Sequence, residues 1–485
     1  MVIKEKILPY IEAKREMLLN ISDSIWEYAE PKFAEYKSSA LLCQVLAEEG
    51  FAVTKGIAGM ETAFVASYGS GKPVIAFLGE YDAQYGLSQE AGAAERKPLL
   101  DGGPGHGCGH HTIGVGALAA AFAVKEYIKE HEIKGTVKYF GCPGAEGGCG
   151  KVYLARAGYF NHVEAALTWH PFTSSNIMTF NVLATISAYF KFQGVSSHAA
   201  GSPHLGRSAL DAVELMNAGV NFLREHVEQD VRMHYAITDA GGCSPNVVQA
   251  KATVLQQIRA PRLSQVRDIY ERVVNIAKGA ALMTDTKLEV VFDKASSNVL
   301  LNNVLGALVH EKFRELGPVP VNEQDLEYAR KIRKTMSEKE KRLDEFIATN
   351  MFGEAGKMVV KEIEGKEIID LIYPYNSKEI VSSGSNDLGD VSWNVPTVAF
   401  QTVTFAKDTA PQSWQMVAQG KSDLCHKGLL HAGKVLALAG AELLENPKLF
   451  REARNEFDQR RAGETYRSPI PPEVKPSTLY KKEVQ

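Results

Sequence analysis

The sequence lacks several features that define common protein classes. No apolar run approaches the roughly 18–20 residues that span a bilayer, and residues 114–124, the longest candidate, are rich in Ala and Gly and predict a buried helix. Lys and Arg number 54 against 58 Asp and Glu, so no basic excess is present to neutralise nucleic-acid phosphates. The 45% of hydrophobic residues excludes intrinsic disorder. We expect a globular protein that binds neither a membrane nor a nucleic acid.

Cysteine is scarce too, with 6 residues in a chain of 485. The first residues, MVIKEKILPYIEAKREMLL, carry charges where a secretion signal has its apolar core, so we expect no such signal. Without secretion, these cysteines are not expected to form a disulfide framework. We therefore expect a cytoplasmic protein in which at least one cysteine has a chemical role.

The order of predicted elements indicates an α/β fold interrupted by a second unit. A chain of 485 residues exceeds the roughly 250–300 residues at which single cores stop growing. Residues 185–295 predict the order strand–helix–strand–helix–strand, a small α+β module. On either side, short apolar strands alternate with helices, which favours a largely parallel sheet. We assign 1–184 and 296–485 to one discontinuous domain and 185–295 to an inserted domain.

The α/β interpretation of the larger domain rests on particular segments. The strands predicted for the larger domain are 73–78, 136–140, 163–169 and 396–403, and its clearest helix is 112–131. The charge-rich run 323–346, EQDLEYARKIRKTMSEKEKRLDEF, predicts a solvated helix.

The strongest chemical signal is the run GHGCGHH at residues 105–111, just before the predicted helix 112–131. One glycine separates Cys108 from His110, so a loop can direct both side chains at one cation. Thiolate and imidazole suit zinc and similar ions. A Gly-rich turn with incidental histidines is the alternative, but the density of His and Cys favours a metal site. His106 and His111 are candidates for supporting the ligands.

A second cluster, GCPGAEGGCGK at residues 141–151, directly follows a predicted strand. It is not a phosphate-binding P-loop, because Ala145 stands where that motif needs glycine and Val152 where it needs Ser or Thr. Glu146 lies in a Gly-rich bend at the carboxyl end of a strand, where open α/β sheets bind their ligands. Glu146 is therefore a candidate metal ligand.

Two further histidines occupy comparable positions. His170 follows the predicted strand 163–169, and His426 opens the final helix. Alone, either would more often be structural. Together with Cys108, His110 and Glu146 they exceed what one tetrahedral ion with an open position needs, so two ions are the economical explanation.

Several runs resemble the M20 metallopeptidases, in particular the amidohydrolase branch that cleaves N-acyl amino acids. They are GCGH at 107–110, PGAEGG at 143–148, TWHP at 168–171, SHAA at 197–200, SPHLGRSALDA at 202–212, SPNVVQA at 244–250 and GDVSW at 389–393. The resemblance implies a zinc-peptidase-like catalytic domain with two divalent ions per subunit, zinc or manganese. It also implies that the inserted module is a lid that forms a homodimer, with a related second chain as a possible partner. The implied substrates are N-acyl or N-aroyl amino acids such as p-aminobenzoyl-glutamate.

The resemblance assigns roles by position. The implied metal ligands are Cys108, His110, Glu146, His170 and His426. His198 matches a histidine that reaches the partner subunit's active site and polarises the scissile carbonyl. The polar residues of the module that are candidates for holding substrate are His204, Arg207, Asn246 and Arg259. For Arg207, a helix-capping or interface role is an equal alternative.

The chain departs from the family at Ala145, where relatives usually have a general-base glutamate beside the ligand Glu146. A methyl group cannot accept a proton, and general acid–base catalysis is worth about 10²–10⁴-fold, so we expect severely impaired activity. The explanations left open are a deliberately inactivated form, a natural non-catalytic homologue that binds acyl-amino acids, or a base from elsewhere. We favour the first, because all the apparent ligands are intact. A hydrolase of other conjugates, such as auxin- or benzoyl-amino acids, is the alternative activity.

Overall fold

The computed structural model of the protein describes residues 3–382 and 384–476. The strands within these residues are β1 (Ala52–Lys55), β2 (Phe64–Ser70), β3 (Val74–Gly79), β4 (Gly135–Gly141), β5 (Ala165–Phe172), β6 (Asn176–Ile177), β7 (Phe180–Val182), β8 (Ala184–Gln193), β9 (Arg232–Asp239), β10 (Lys251–Ala260), β11 (Lys287–Ser296), β12 (Ile380–Ser382) and β13 (Thr397–Val403). The helices are α1 (Ile3–Ala13), α2 (Arg15–Tyr28), α3 (Tyr36–Glu48), α4 (His110–Glu130), α5 (Gly150–Arg156), α6 (Ala209–Leu223), α7 (Leu263–Thr284), α8 (Asn303–Leu316), α9 (Glu323–Lys334), α10 (Leu343–Ile363), α11 (Leu388–Ser392), α12 (Trp414–Gln419), α13 (Asp423–Glu445) and α14 (Pro447–Arg461).

The larger sheet has the strand order β1-β2-β4-β3-β5-β13-β6. Its central strands β4, β3, β5 and β13 run parallel, whereas β1, β2 and β6 pair antiparallel at the two sides. The parallel strands are almost wholly buried, because helices cover both faces of a sheet of this kind. The predicted α/β class is confirmed, with the sheet mixed rather than uniformly parallel.

Helix α4 lies against this sheet and against α13, and its small residues allow a close approach. A Cβ atom on Gly116 would lie 2.4 Å from Nε1 of Trp169 on β5, so no larger residue fits there. The first residue of α4 is His110, and the close packing therefore fixes that imidazole relative to the strand ends.

The smaller sheet is fully antiparallel, with the order β11-β8-β10-β9, and α6 and α7 pack on it. The chain enters this unit at the start of β8 and leaves it at the end of β11, where Thr185 pairs with Ser296. Both connections to the larger unit therefore lie at the same end of the sheet. The limits of the two domains, at 184/185 and 295/296, stay our interpretation.

The charged run 323–346 is not one solvated helix but α9 and the start of α10, joined by an irregular connection. One face of these helices is buried, with Ala329, Ile332 and Ala348 in a core of their own. Across the described ranges, no helix combines the length and hydropathy that a membrane crossing requires.

Candidate metal centre

The functional side chains converge because the central strands of the larger sheet are parallel. Glu80 and Asp82 follow β3, Glu146 follows β4, and His170 lies near the end of β5. The carboxyl ends of parallel strands lie at one edge of the sheet, which is where such sheets bind ligands. Polar residues that are distant in sequence thereby meet at one edge.

Cys108, His110 and His170 form the core of the site. Their ligand atoms all lie within 4.8 Å of one another, and His110 and His170 are nearly perpendicular at 5.9 Å between ring centroids. Gly109 between the first two has a φ of 69°, and a Cβ there would lie 2.8 Å from Cγ of Pro171. Glycine is thus required both for the backbone conformation and for the space.

The hydrogen bonds of His170 make it ready to bind a cation. Its Nδ1 lies 2.8 Å from the carbonyl oxygen of Pro171, which can only accept, so Nδ1 carries the hydrogen and Nε2 presents a lone pair. Burial, together with the nearby His110, lowers the pKa of His170 to about 4. His170 is therefore neutral, as a metal ligand must be.

Cys108 and His110 both carry protons that a cation would displace. Burial raises the pKa of the Cys108 thiol to about 12. Burial by itself would lower the pKa of His110, but the carboxylates of Asp82 and Glu80 outweigh it and raise that pKa well above its ordinary value. A thiol with two imidazoles is a donor set that suits zinc and neighbouring divalent ions, so the residues present fit the ions that the sequence implies.

Asp82 connects this group to Glu146. Its Oδ1 lies 2.8 Å from Nδ1 of His110, and its Oδ2 accepts a 2.7 Å hydrogen bond from the backbone N–H of Glu146. The Glu146 carboxylate in turn lies 3.5 Å from Nε2 of His110. Glu146 is therefore held at the edge of the cluster in a position to share a cation with it.

A buried ion-pair network lies on the Nε2 side of His110. Glu80 places Oε2 3.4 Å from Nε2 of His110, and its Oε1 lies 2.6 Å from Nζ of Lys151. Lys151 also contacts Asp387 at 2.7 Å, while its side chain is only 1% exposed. Burial by itself would raise the pKa of Glu80, but Lys151 and His110 together outweigh it and lower that pKa below its ordinary value.

The loop that carries Ala145 and Glu146 rests on a buried carboxyl group. Glu35 accepts hydrogen bonds from the N–H groups of Phe33 and Gly144 and from the hydroxyl of Thr62. Burial, and then the neighbouring Asp82, raises the pKa of Glu35 from 4.5 to about 8.

A cleft of about 440 Å³ opens beside the metal-ligand group, between the two units. The larger unit contributes Ala145, Glu146 and Asp387 to its lining, among others. The smaller sheet lines the cleft with the end at which it joins the larger unit. The residues lining the cleft from that sheet are Thr185, Gln257, Arg259, Lys294 and Ser296.

The predicted substrate-binding residues fall into two groups. Arg259 lines the cleft, because its strand partner Thr185 lies where the chain enters the module. His198, His204 and Asn246 are exposed and lie outside the residues that line the cleft. Arg207 forms an ion pair with Asp285 at 2.7 Å and donates to the carbonyl oxygens of His204 and Gly206, and both alternatives for its role stay predictions.

His426 lies apart from the metal-ligand group. Its Nε2 is 2.8 Å from Oδ1 of Asp23, on α2. It does not share the arrangement of Cys108, His110 and His170. Its assignment as a ligand stays a prediction, to which this position gives no support.

Sequence reasoning missed seven charged residues in and around the site, namely Lys32, Glu35, Glu80, Asp82, Lys151, Lys294 and Asp387. For Glu80 and Asp82 a signal was present: GEYD directly follows the predicted strand 73–78, the same criterion that selected Glu146. Lys32 and Asp387 come from irregular segments, and their approach to the cleft depends on tertiary packing.

Comparisons with known proteins identify relatives of this chain. It is 44% identical over 471 residues to one of the subunits of p-aminobenzoyl-glutamate hydrolase from Escherichia coli (strain K12), covering 97% of this chain and 98% of that protein. It is 26% identical over 329 residues to the Xaa-Arg dipeptidase of Mus musculus, covering 65% and 72%. No family model matches the sequence.

Solved structures show the same fold. An aminobenzoyl-glutamate utilization protein from Klebsiella pneumoniae aligns with a TM-score of 0.57 at 18% identity, over 87% of this chain and 97% of that one. A Bacillus subtilis dinuclear metal-binding peptidase from the M20 family aligns with a TM-score of 0.55 at 16% identity, over 90% and 99%.

Proposed function

The chain belongs to the M20 family of metallopeptidases, and we propose that it is built as a metal-dependent amidohydrolase for N-acyl or N-aroyl amino acids. p-Aminobenzoyl-glutamate is the substrate we put first, because the relative at 44% identity is named for it. The observation that carries the proposal is the group of Cys108, His110 and His170 beside a cleft large enough for a small molecule.

Cys108, His110, His170 and Glu146 are the residues that would hold divalent ions, two per subunit, as zinc or manganese. Bound there, such ions supply activation of water and polarisation of the scissile carbonyl. Asp82 orients His110 through Nδ1, so that Nε2 faces the other donors. The proposed metal content is tested by elemental analysis of the purified protein.

At position 145 this chain lacks a side chain that can transfer a proton. Ala145 lines the cleft directly before Glu146, and its methyl group can neither take a proton from water nor return one to the leaving amine. We therefore propose that the chain binds substrate but turns it over poorly. A non-catalytic homologue that binds acyl-amino acids is the second candidate, and Ala145 is the observation that favours it.

The test is amine release from p-aminobenzoyl-glutamate by the metal-loaded chain and by two variants, Ala145→Glu and Ala145→Gln. Glutamine matches the size of glutamate but cannot exchange a proton. We expect Ala145→Glu to exceed both other proteins by about 10²–10⁴-fold. Equal rates in all three would show that Ala145 does not occupy the place of the base. If none of the three proteins releases amine although metal is bound, the result would favour the non-catalytic binding homologue or another conjugate as substrate.

We also propose a homodimer formed through the smaller sheet. β9 is one of its two edge strands and exposes Tyr235 and Ile237, which leaves a surface for a second copy. His198 is exposed on the same unit, as a residue that serves a partner's site must be. Sedimentation velocity tests the dimer.

Two further proposals concern the partner and the location of the chain. The relative at 44% identity is named as one subunit of its enzyme, so a related second chain is a further candidate partner. The free state of all six cysteines supports a cytoplasmic location.

A further inference from the structure

Two lysines from different units approach one point beside the metal-ligand group. Lys294 Nζ lies 3.2 Å and Lys32 Nζ 3.8 Å from the place where a Cβ on Gly147 would be. Lys32 follows α2, and Lys294 is on β11 opposite Ser187. Gly147 directly follows Glu146 in the chain, so the two ammonium groups lie beside the residue next to a candidate metal ligand.

The two lysines are close enough to repel each other. Lys32 donates a hydrogen bond to the carbonyl oxygen of Gly147 at 3.2 Å, which fixes its ammonium group near that of Lys294. Burial, and then the repulsion of Lys294, lowers the pKa of Lys32, even though Asp293 and Asp82 act in the opposite direction. Two like charges held this close in a partly buried cleft favour the binding of an anion between them.

Among the charged side chains that line the cleft, cations outnumber carboxylates by three to two. Arg259 adds a third cation to the lining, and Asp387 is paired with Lys151. The remaining carboxylate of the lining, Glu146, belongs to the proposed metal site. A substrate in this cleft therefore meets a cationic wall on the side of Lys32 and Lys294.

We propose that Lys32 and Lys294 form a subsite for a carboxylate of the leaving amino acid, and that this pair selects N-acyl amino acids with an acidic side chain over neutral ones. The inference rests on the proposed function and narrows its substrate class. The scissile amide lies at the metal-ligand group, so a carboxylate on the leaving side extends past Gly147 towards the two ammonium groups.

The experiment compares binding of p-aminobenzoyl-glutamate and p-aminobenzoyl-glutamine by titration calorimetry. The proteins are the metal-loaded chain, Lys32→Met, Lys294→Met and, as a matched control, Lys278→Met on the exposed face of α7. We expect the unchanged chain to prefer the glutamate compound by on the order of tenfold or more, since a charge-assisted contact contributes about 1.5–3 kcal/mol. Either cleft variant should lose most of that preference, and the control should keep it.

The outcomes separate this inference from the proposed function. Equal affinity of the unchanged chain for the two compounds overturns the subsite, as does an equal loss for both compounds in the lysine variants. Hydrolysis of N-acyl neutral amino acids by Ala145→Glu, at rates matching those for acidic ones, would leave the amidohydrolase intact and remove the selectivity. Failure of the metal-loaded chain to bind either compound overturns p-aminobenzoyl-glutamate as the substrate and the subsite with it, and leaves hydrolysis of another conjugate as the test of the amidohydrolase.

Discussion

His110 and Asp82 are joined by a contact of 2.8 Å between Nδ1 and Oδ1, and this contact determines which ring nitrogen faces Cys108 and His170. Because a carboxylate only accepts, Nδ1 of His110 carries the hydrogen and Nε2 is directed at the other donors. The same carboxylate accepts from the N–H of Glu146, so one buried side chain orients two proposed ligands.

Replacing Asp82 by Asn should weaken metal binding. An amide cannot accept on both sides, so either the N–H of Glu146 loses its acceptor or Nδ1 of His110 becomes an acceptor, which leaves the hydrogen on Nε2. Loss of such an outer partner lowers metal affinity by about 10–100-fold. Zinc titration of Asp82→Asn followed by calorimetry checks this, with Asp101→Asn at an exposed position as the control. Unchanged affinity in Asp82→Asn would mean that the contacts of Asp82 do not orient the ligands of the bound ion.

Replacing Cys108 by Ser should abolish most of the stabilisation that zinc gives the fold. A thiolate is the softest donor of the group, and a serine hydroxyl stays neutral. At a free ligand concentration of 100 times Kd, a bound ligand stabilises the folded state by about 2.7 kcal/mol, and this stabilisation is lost when binding is much weaker. Thermal unfolding with and without zinc measures it for Cys108→Ser and for Cys243→Ser, whose thiol is exposed. An equal zinc-induced rise in Tm for both variants would exclude Cys108 as a ligand.

The central strands and the buried helix were predictable because burial leaves a simple pattern. The apolar segment 163–169 appears as β5, Ala165–Phe172, and the predicted helix 112–131 as α4, His110–Glu130. Strand β9 was not predicted. It is an exposed edge strand in which only Met233 is buried, but Met233, Tyr235 and Ile237 do alternate with other residues as in a half-buried strand, so a sequence signal was present.

The residues of the site also differ in how well the sequence predicts their positions. The convergence of Cys108, His110 and His170 was predictable because the first two are two residues apart in one Gly-rich segment and the third is near the end of a parallel strand. The position of His426 was not, since a residue that opens a helix gives no sign of which strand end it approaches. Lys294 was not predicted either, because its approach to the cleft depends on how the smaller sheet packs against the larger one.

Replacing Lys151 by Met should destabilise the protein strongly. The substitution removes the only cation that the ion-pair distances place on both Glu80 and Asp387 within the described residues. Breaking a buried pair by removing one partner costs about 3–5 kcal/mol of unfolding free energy. Denaturant unfolding of Lys151→Met measures this against Lys448→Met, whose ion pair with Glu452 is on the surface. The control should change by less than about 1 kcal/mol. A similar small loss in Lys151→Met would show that Glu80 or Asp387 is protonated in the native protein.

Glu35 should make the fold less stable as the pH rises. Its pKa is about 8 in the folded protein against an ordinary value of 4.5, so the folded state binds this proton more tightly than the unfolded state does. The stabilisation is complete below pH 4.5, declines as the unfolded carboxyl ionises, and is lost by about pH 8. In Glu35→Gln, the amide cannot ionise, and its Nε2 can donate to Thr62 while its oxygen keeps accepting from Gly144. The difference in unfolding free energy between Glu35→Gln and the unchanged chain should therefore increase in favour of the variant from pH 4.5 to pH 8. Urea unfolding in the presence of a chelator measures that difference, and a constant value across the range would mean that Glu35 is ionised in the folded protein.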